Sequence, residues 1–390
     1  MREMVESGRL PRTPLDTGYR GKRILVTGHT GFKGSWLCLW LQEMRAQVFG
    51  YSLPPPTTPN LFDIIRLGTR MVHRIGDVQD TEAVQAALDE IRPEVIFHLA
   101  AQTIVRQSYE SPLETLETNV MGTAHVLESI RRSGRPCAIV AVTSDKCYEN
   151  WGGVSEYIET DCLGGHDPYS ASKGAAEIVI SAYRHAYFPV EDFRKHGVAL
   201  ASVRAGNVIG GGDWAKDRIV PDIMRALYQG EPVLVRNPSA VRPWQHVLDA
   251  LSGYLWLAAQ MIRKGAEGFA EAWNFGPVDE EVITVRELVE HVLRSWDGGT
   301  WQPREDRGAP PEARHLRLCS HKAVQRLGWR PAYRLEDTVE ATAAWYKAGR
   351  DRNDMVPFTV GQIGQYILRA QAGDLIWAGR TNQAMKASEP

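Results

Sequence analysis

The chain has 390 residues, with 45 Lys plus Arg against 47 Asp plus Glu, a net charge of −2. A balance this close to neutral removes the main electrostatic argument for nucleic acid or an anionic membrane as partner, and the length allows two lobes that need no disulfide or metal to hold them. The 12 Trp are the oddity: large aromatics are costly to expose, so they belong to a big core, an oligomer interface or a lined pocket.

Residues 1–20 mix Arg, Glu, Pro and Gly without an apolar stretch of signal-peptide type and read as a flexible lead-in. Ile24-Leu25-Val26 is a short buried-strand run that leads into a glycine-rich turn, and Gly34–Met44 then has helical spacing. Further strands are expected at Ala46–Ser52, Val72–Gly76, Val95–Leu99, Ala138–Thr143 and Val198–Val203. Helical patterns at Thr81–Ile91, Leu113–Arg132 and Tyr169–Phe188 lie between them. Short apolar strands alternating with amphipathic helices predict a parallel sheet covered on both faces. After Gly206 the regularity weakens. Helices are expected at Pro221–Gln229, Leu248–Arg263, Thr284–Ser295, His321–Leu327 and Leu335–Lys347, and loops at Ala266–Trp273 and Gly298–Arg314. The predicted fold is α/β: a Rossmann-type doubly wound sheet over 21–206, then a smaller mixed α/β lobe over 207–350 interleaved with it. Residues 351–390 form a C-terminal extension.

No run of about 18 apolar residues is present, so no spanning helix is expected. Cys38, Cys137, Cys147, Cys162 and Cys319 are odd in number and lack C-x-x-C spacing, which reads as free thiols in a cytoplasmic protein. The histidines show no H-E-x-x-H, and no metal is expected.

The strongest local signal is Thr27-Gly28-His29-Thr30-Gly31-Phe32-Lys33-Gly34, set between the first strand and the first helix. Glycines at 28, 31 and 34 give the tight turn, the close approach to a pyrophosphate and the helix–strand packing of a dinucleotide site. The helix amino terminus adds free N–H groups and a positive dipole end. A phosphate-loop NTPase needs G-K-[ST], whereas here the order is Lys33-Gly34-Ser35. About 20 residues on, where an acid usually holds the ribose, the chain has Gly50-Tyr51-Ser52-Leu53. NAD is therefore the expected cofactor with NADP left open, since Lys33 could reach a 2′-phosphate. Asp77-Val78, ending the third strand, could meet the adenine.

Tyr169-Ser170-Ala171-Ser172-Lys173 places a phenol and an ammonium four residues apart on one helix face. A neighbouring cation favours phenolate, which suits removal of a sugar hydroxyl proton while hydride leaves to a nicotinamide. Thr143-Ser144-Asp145-Lys146 follows the fifth strand.

Taken with Asp167-Pro168-Tyr169-Ser170, Arg204–Trp214, Arg242-Pro243-Trp244-Gln245-His246 and Trp273–Pro277, these segments resemble the extended short-chain dehydrogenase/reductase family. Within it they resemble the sugar-nucleotide 4,6-dehydratases, and the branch that acts on CDP-glucose. The resemblance runs from about Lys22 to at least Lys347. It implies a cofactor site made of Gly28, Thr30, Gly31, Phe32, Lys33, Gly34, Ser52, Asp77, Val78 and Ala100, with Tyr169 and Lys173. It also implies substrate-binding positions at Gln102, Asn119, Asn207, Arg242 and His315, with Asn119 ordering the active-site backbone. In the implied mechanism Tyr169 is the base at the C4 hydroxyl, Lys173 orients the ribose and lowers the pKa of Tyr169, and Ser144 bonds the C4 oxygen. Asp145 protonates the departing C6 hydroxyl. The related dTDP-glucose enzymes carry Glu where this chain has Lys146, a departure shared with the CDP-glucose branch. A lysine there must be neutral to act as the C5 base; otherwise it stabilises the enolate or pairs with Asp145. An epimerase or reductase for another nucleotide sugar is the nearest rival, and it would not need Asp145. A dinucleotide-binding regulatory protein without catalysis is more distant. The family's pairing helices imply a homodimer or homotetramer. Trp36, Trp214, Trp244 and Trp273 fall in these motifs and are expected to wall the site.

Overall fold

The computed structural model describes residues 10–150, 156–278, 283–304 and 316–379. Seven strands form one sheet: β1 (Arg23–Thr27), β2 (Gln47–Ser52), β3 (Val72–Ile75), β4 (Val95–His98), β5 (Cys137–Val142), β6 (Val198–Ala205) and β7 (Ala272–Phe275). Their order is β7-β6-β5-β4-β1-β2-β3, and every pairing is parallel. A parallel sheet hides both faces, which is why β4 and β6 are buried at every position. Edge strand β3 instead exposes Val72 and Ile75 and interleaves them with His73 and Arg74, a polar admixture that discourages pairing with another chain. The strand order reverses between β1 and β4, the point at which doubly wound sheets open a crevice for ligands.

The principal helices are α1 (Pro14–Tyr19), α2 (Phe32–Glu43), α3 (Thr81–Ile91), α4 (Gly122–Ser133), α5 (Pro168–Ala186), α6 (Val247–Lys264), α7 (Val285–Trp296), α8 (Leu335–Asp351) and α9 (Val356–Ala372). The predicted helix Leu113–Arg132 is Pro112–Leu116, a π-turn at Glu117–Met121 and α4 in succession. The π-turn carries Asn119. Helix α5 starts sharply because the Asp167 carboxylate accepts from the Ser170 N–H at 2.9 Å and Pro168 occupies the first turn.

The second lobe is mixed α/β as expected. It contains three two-stranded sheets, pairing Asn207–Ile209 with Trp244–His246, Val233–Val235 with Trp301–Pro303, and Val241–Arg242 with Ile283–Thr284. Helices Ile219–Gln229, α7 and α8 accompany them. The lobes interleave, since β7 comes from the second half of the chain and completes the first sheet.

Four segments differ from the sequence reading. The expected loop Gly298–Arg314 holds the strand Trp301–Pro303, which pairs with Val233–Val235. Residues 266–273 are not all loop: Ala272 and Trp273 open β7. The described part of the expected lead-in holds α1, with Leu15 and Tyr19 fully buried and the Tyr19 hydroxyl donating to the Leu255 carbonyl. The C-terminal extension folds back as α9. Tyr366 meets Trp40 of α2 edge-on at 5.8 Å and stacks on Trp377 at 5.5 Å, and its hydroxyl bonds Asp249 Oδ1 at 2.7 Å. Gln371 then donates to the Arg12 carbonyl at 3.0 Å, which joins the two ends of the described chain. Apolar burial drives both additions.

Candidate active site

A cavity of about 770 Å³ opens at the strand-order reversal and runs between the two lobes. Its floor is the glycine turn. Gly28 sits at φ +73°, the left-handed region, and a Cβ there would fall 2.7 Å from the Ala100 amide nitrogen. A Cβ on Gly34 would meet the Gly28 carbonyl oxygen at 2.2 Å, so turn and helix could not close. Gly31 is different: the one atom near its missing Cβ is the Gly28 oxygen at 3.4 Å, and its outer side borders the cavity. No side chain caps α2 there. A helix amino terminus bare of side chains at a cavity floor fits the pyrophosphate of a dinucleotide.

Thr30, Phe32, Lys33, Ser52, Asp77, Val78 and Ala100 also line the cavity. At the ribose end, Thr30 Oγ1 and Ser52 Oγ are 2.9 Å apart. Asp77 turns its carboxylate to the Gln79 N–H at 3.0 Å, as a strand-end Asp does. Lys33 does not face that end. Its Nζ lies 6.0 Å from the centre of the Tyr254 ring, in electrostatic range of Asp145, Lys173, Asp213 and Arg218. The expected reach to a 2′-phosphate is therefore replaced by a place at the reaction end. Burial, reinforced by Arg218, lowers the Lys33 ammonium to about 8.

At that end Ser144, Asp145, Lys146, Tyr169 and Lys173 meet on one wall. Ser144 caps a short 3₁₀ turn after β5. Its Oγ donates to Asp145 Oδ1 at 2.9 Å and accepts from the Lys146 N–H at 3.2 Å. Asp145 is buried, and that burial raises its carboxyl above the usual range against the pull of Lys146, Ser144, Arg242 and Lys33. Lys146 is half-buried. Tyr169 is pushed up to about 12 by burial, with Ser144 pulling the other way. Lys173, whose Nζ is 6.0 Å from the Tyr169 ring centre, is itself lowered to about 8 by burial. Its expected depression of the Tyr169 pKa is thus outweighed by desolvation, which disfavours phenolate and ammonium alike.

Below Lys173, Glu177 and Arg204 form a buried ion pair at 2.9 Å. Thr143 Oγ1 and Ser202 Oγ also donate to Glu177, and Arg204 Nη1 donates to the Tyr148 hydroxyl. This network ties β5, β6 and α5 together under the cavity wall.

Asn207 and Arg242 line the cavity from the second lobe. Gln102 and Asn119 do not reach it. Asn119 Oδ1 accepts the Gln102 N–H at 2.9 Å, while its Nδ2 donates to the Gln102 carbonyl at 3.0 Å and to Ser172 Oγ at 2.9 Å. The Gln102 amide is used up on Thr115 and Ile104. Both brace the cavity wall from behind. His315 lies outside the described residues. Of the tryptophans, Trp214 and Trp244 wall the cavity; Trp36 is core, donating to the Gly211 carbonyl at 2.9 Å, and Trp273 is core beside Lys322 and Arg326. Arg106, Asp217, Arg218 and Arg236 line the cavity too and went unmarked in the sequence, because no motif spacing sets them apart from the other charges. Among the described residues no group of three or more His, Cys, Asp or Glu could hold a metal ion.

A doubly wound sheet, a glycine turn at its switch point and a Tyr-x-x-x-Lys pair in the same cavity define an extended short-chain dehydrogenase/reductase. Residues 25–342 match the family described as GDP-mannose 4,6 dehydratase. The CDP-glucose 4,6-dehydratase of Salmonella typhimurium is 49% identical over 350 residues, spanning 90% of this chain and 97% of that protein. The dTDP-glucose 4,6-dehydratase of Xanthomonas campestris is 28% identical, spanning 83% and 92%. The chain belongs to the GDP-mannose 4,6 dehydratase family. Among solved structures, a dTDP-glucose 4,6-dehydratase from Streptomyces venezuelae, with NAD and TYD bound, shares the fold at a TM-score of 0.71 and 23% identity, over 84% of this chain and 98% of that one. The UDP-glucose 4-epimerase of Thermotoga maritima does so at 0.70 and 23%, over 84% and 99%.

Proposed function

We propose that this protein is a sugar-nucleotide 4,6-dehydratase that converts CDP-D-glucose to CDP-4-dehydro-6-deoxy-D-glucose and water, with NAD held on the glycine turn. The carrying observation is a buried Asp145, its carboxyl raised by burial, beside Ser144, Lys146 and Tyr169. Epimerisation and reduction can run on Tyr169 and Lys173, whereas elimination needs an acid for the departing hydroxyl. The 49% identity to a CDP-glucose enzyme supports the nucleotide.

NAD, which Gly28, Gly31, Gly34, Tyr169 and Lys173 would hold, would supply the hydride acceptor for C4 of the sugar and the hydride source for C6. Tyr169 receives the C4 hydroxyl proton while Ser144 holds the same oxygen. The ketone acidifies C5–H, and Lys146 takes that proton and later returns it. Asp145 gives its proton to the C6 hydroxyl, which leaves as water. One cycle leaves Tyr169 a proton richer and Asp145 a proton poorer. Ser144, bonded to Asp145 and in contact with the Tyr169 hydroxyl, joins the two. Lys173 is the cation closest along α5 to the phenolate, and Arg242 faces the substrate diphosphate.

Purified protein incubated with CDP-glucose, dTDP-glucose and GDP-mannose should give a 4-keto product from CDP-glucose; product from another nucleotide sugar alone defeats the assignment. In Lys146→Ala, C4 oxidation should persist while elimination stalls, so reduced nicotinamide accumulates in the absorbance trace. Unchanged turnover would remove Lys146 from the chemistry.

Oligomeric state and location belong to the same reading. Leu113, Met121, Ile178 and Tyr187 are exposed on the helices around α4 and α5, and a second copy pairing these helices would cover them. Ile178→Glu should halve the mass seen by light scattering; an unchanged mass rules this face out. The five cysteines are free and no helix of the described residues is long and apolar enough to cross a membrane, which supports a cytoplasmic location.

A further inference from the structure

Two arginines from opposite halves of the chain meet at one oxygen atom on the cavity wall. Arg106 follows β4, and Arg236 follows the strand Val233–Val235 of the second lobe. Arg106 Nε is 3.8 Å from Asp217 Oδ1, and Arg236 Nη1 is paired with that same oxygen. All three residues line the cavity, and their side chains keep 26–37% of their surface exposed.

The segment that carries Asp217 is built to present it. Arg225 donates to the carbonyls of Trp214 at 2.8 Å and Ala215 at 3.2 Å, and Asp213 accepts from the Ala215 N–H at 3.1 Å. Arg218 spans from Asp213 at 3.1 Å to Thr103 Oγ1 at 3.0 Å across the lobes. Asp217 itself sits at φ +62°, a left-handed turn conformation that Asp tolerates better than most side chains.

A carboxylate oxygen that two guanidinium groups approach from both lobes occupies the place of a phosphate oxygen. The hold is weak, since solvent and salt screen partly exposed ion pairs. A diphosphate carries more charge and matches the guanidinium fork with several oxygens. The glycine turn accounts for the cofactor's diphosphate, which leaves the substrate's.

We propose that Asp217 is an internal stand-in for phosphate: it keeps Arg106 and Arg236 in position until the diphosphate of the nucleotide sugar displaces it and takes both. The assignment rests on the nucleotide-sugar reading above and adds two ligands to Arg242. It involves an exchange of ion pairs and no covalent step.

The test uses the full chain and CDP, titrated by calorimetry, with Asp217→Asn and Arg236→Gln beside the parent. Asn tolerates the left-handed backbone, so the first variant removes the nearer of the two carboxylates on Arg236 and leaves Asp222, whose Oδ2 is 3.8 Å from Arg236 Nη2, in place. Asp217→Asn should tighten CDP about three- to fivefold, the worth of one exposed ion pair, and Arg236→Gln should weaken it about tenfold or more, the loss of a charge-assisted contact. KM for CDP-glucose should move in the same two directions, and cofactor affinity should not follow. Weaker or unchanged CDP binding in Asp217→Asn overturns the proposal, as does a shift in cofactor affinity in place of CDP affinity. Should the parent bind CDP yet form no 4-keto product, the dehydratase reading fails while the opposite-signed shifts still decide this one.

Discussion

Asn119 and Tyr169 show how burial decides what a single side chain can do. Asn119 is enclosed on the π-turn, and its amide joins the loop after β4 to Ser172, which directly precedes Lys173. Asn119→Leu would strand the N–H and the carbonyl of Gln102 in the interior, each costing about 1–3 kcal/mol. A loss on the order of 3 kcal/mol in urea unfolding is expected, with kcat falling more than KM because the wall shifts while Arg242 does not. An unfolding midpoint equal to the parent's would show that the clamp carries no strain. At Tyr169 the same burial works against the ion: the phenol is held to about 12, so it can act as a base only after passing its own proton on, and Ser144, bonded to Asp145, is the neighbour that can relay it.

The elements that were legible in the sequence are those whose pattern is local. The strand runs from Ile24 and from Val198 and the helix at Thr81–Ile91 were readable because apolar spacing alone defines them, and the Gly28–Gly34 turn because its backbone can be built in one way. Strand β7 was not readable. Its Asn274 is buried between Tyr148, Tyr157 and Cys319, with Tyr148 donating to Oδ1 at 2.8 Å and Nδ2 donating to the Tyr157 carbonyl at 2.9 Å. A polar residue satisfied by partners more than 40 positions away looks like loop. The site divided in the same manner: Ser144, Asp145, Tyr169 and Lys173 carry motif spacing, whereas Asp217 and Arg236 converge through the fold alone. Helix α9 was also hidden, because its reason for existing is Trp40 at the other end of the chain. Ile363, Tyr366, Ile367 and Trp377 are buried there, at about 1.5–3 kcal/mol each. That sum rivals the 5–15 kcal/mol that holds a typical domain together. A chain ending after Asp354 is expected to lose its near-ultraviolet circular dichroism and to aggregate; a native spectrum would mean that α9 is an accessory.

For the molecule as a whole, acid is the exposed weakness. His98, His246 and His29 are buried, and burial lowers them to about 3, 3 and 4, with Lys173 adding to the effect at His98 and His73 at His29. Each binds a proton more readily unfolded than folded, so stability is full above about pH 6.5 and is lost as pH falls toward those values. Asp249, raised to about 7 by burial, runs the other way: its contribution is present at low pH and is lost as pH rises from about 4 to 7. Asp145 is raised in the same sense as Asp249, whereas Glu177, despite its burial, is held below the usual carboxylate range by Arg204 and joins the three histidines, and the balance is a net acid loss. Urea midpoints should fall steadily from pH 6.5 to 4.5, and His98→Asn should reduce that slope by about 1.4 kcal/mol per pH unit. Equal slopes would mean that His98 is charged in the fold. The closure of α9 over α2 has a further consequence, in the order of synthesis. Trp40 leaves the ribosome early, yet the residues that cover it follow more than 300 positions later. At about 5–20 residues per second, an apolar helix face waits on the order of tens of seconds for its lid. During that interval the nascent sheet is the species that a holdase chaperone would have to recognise.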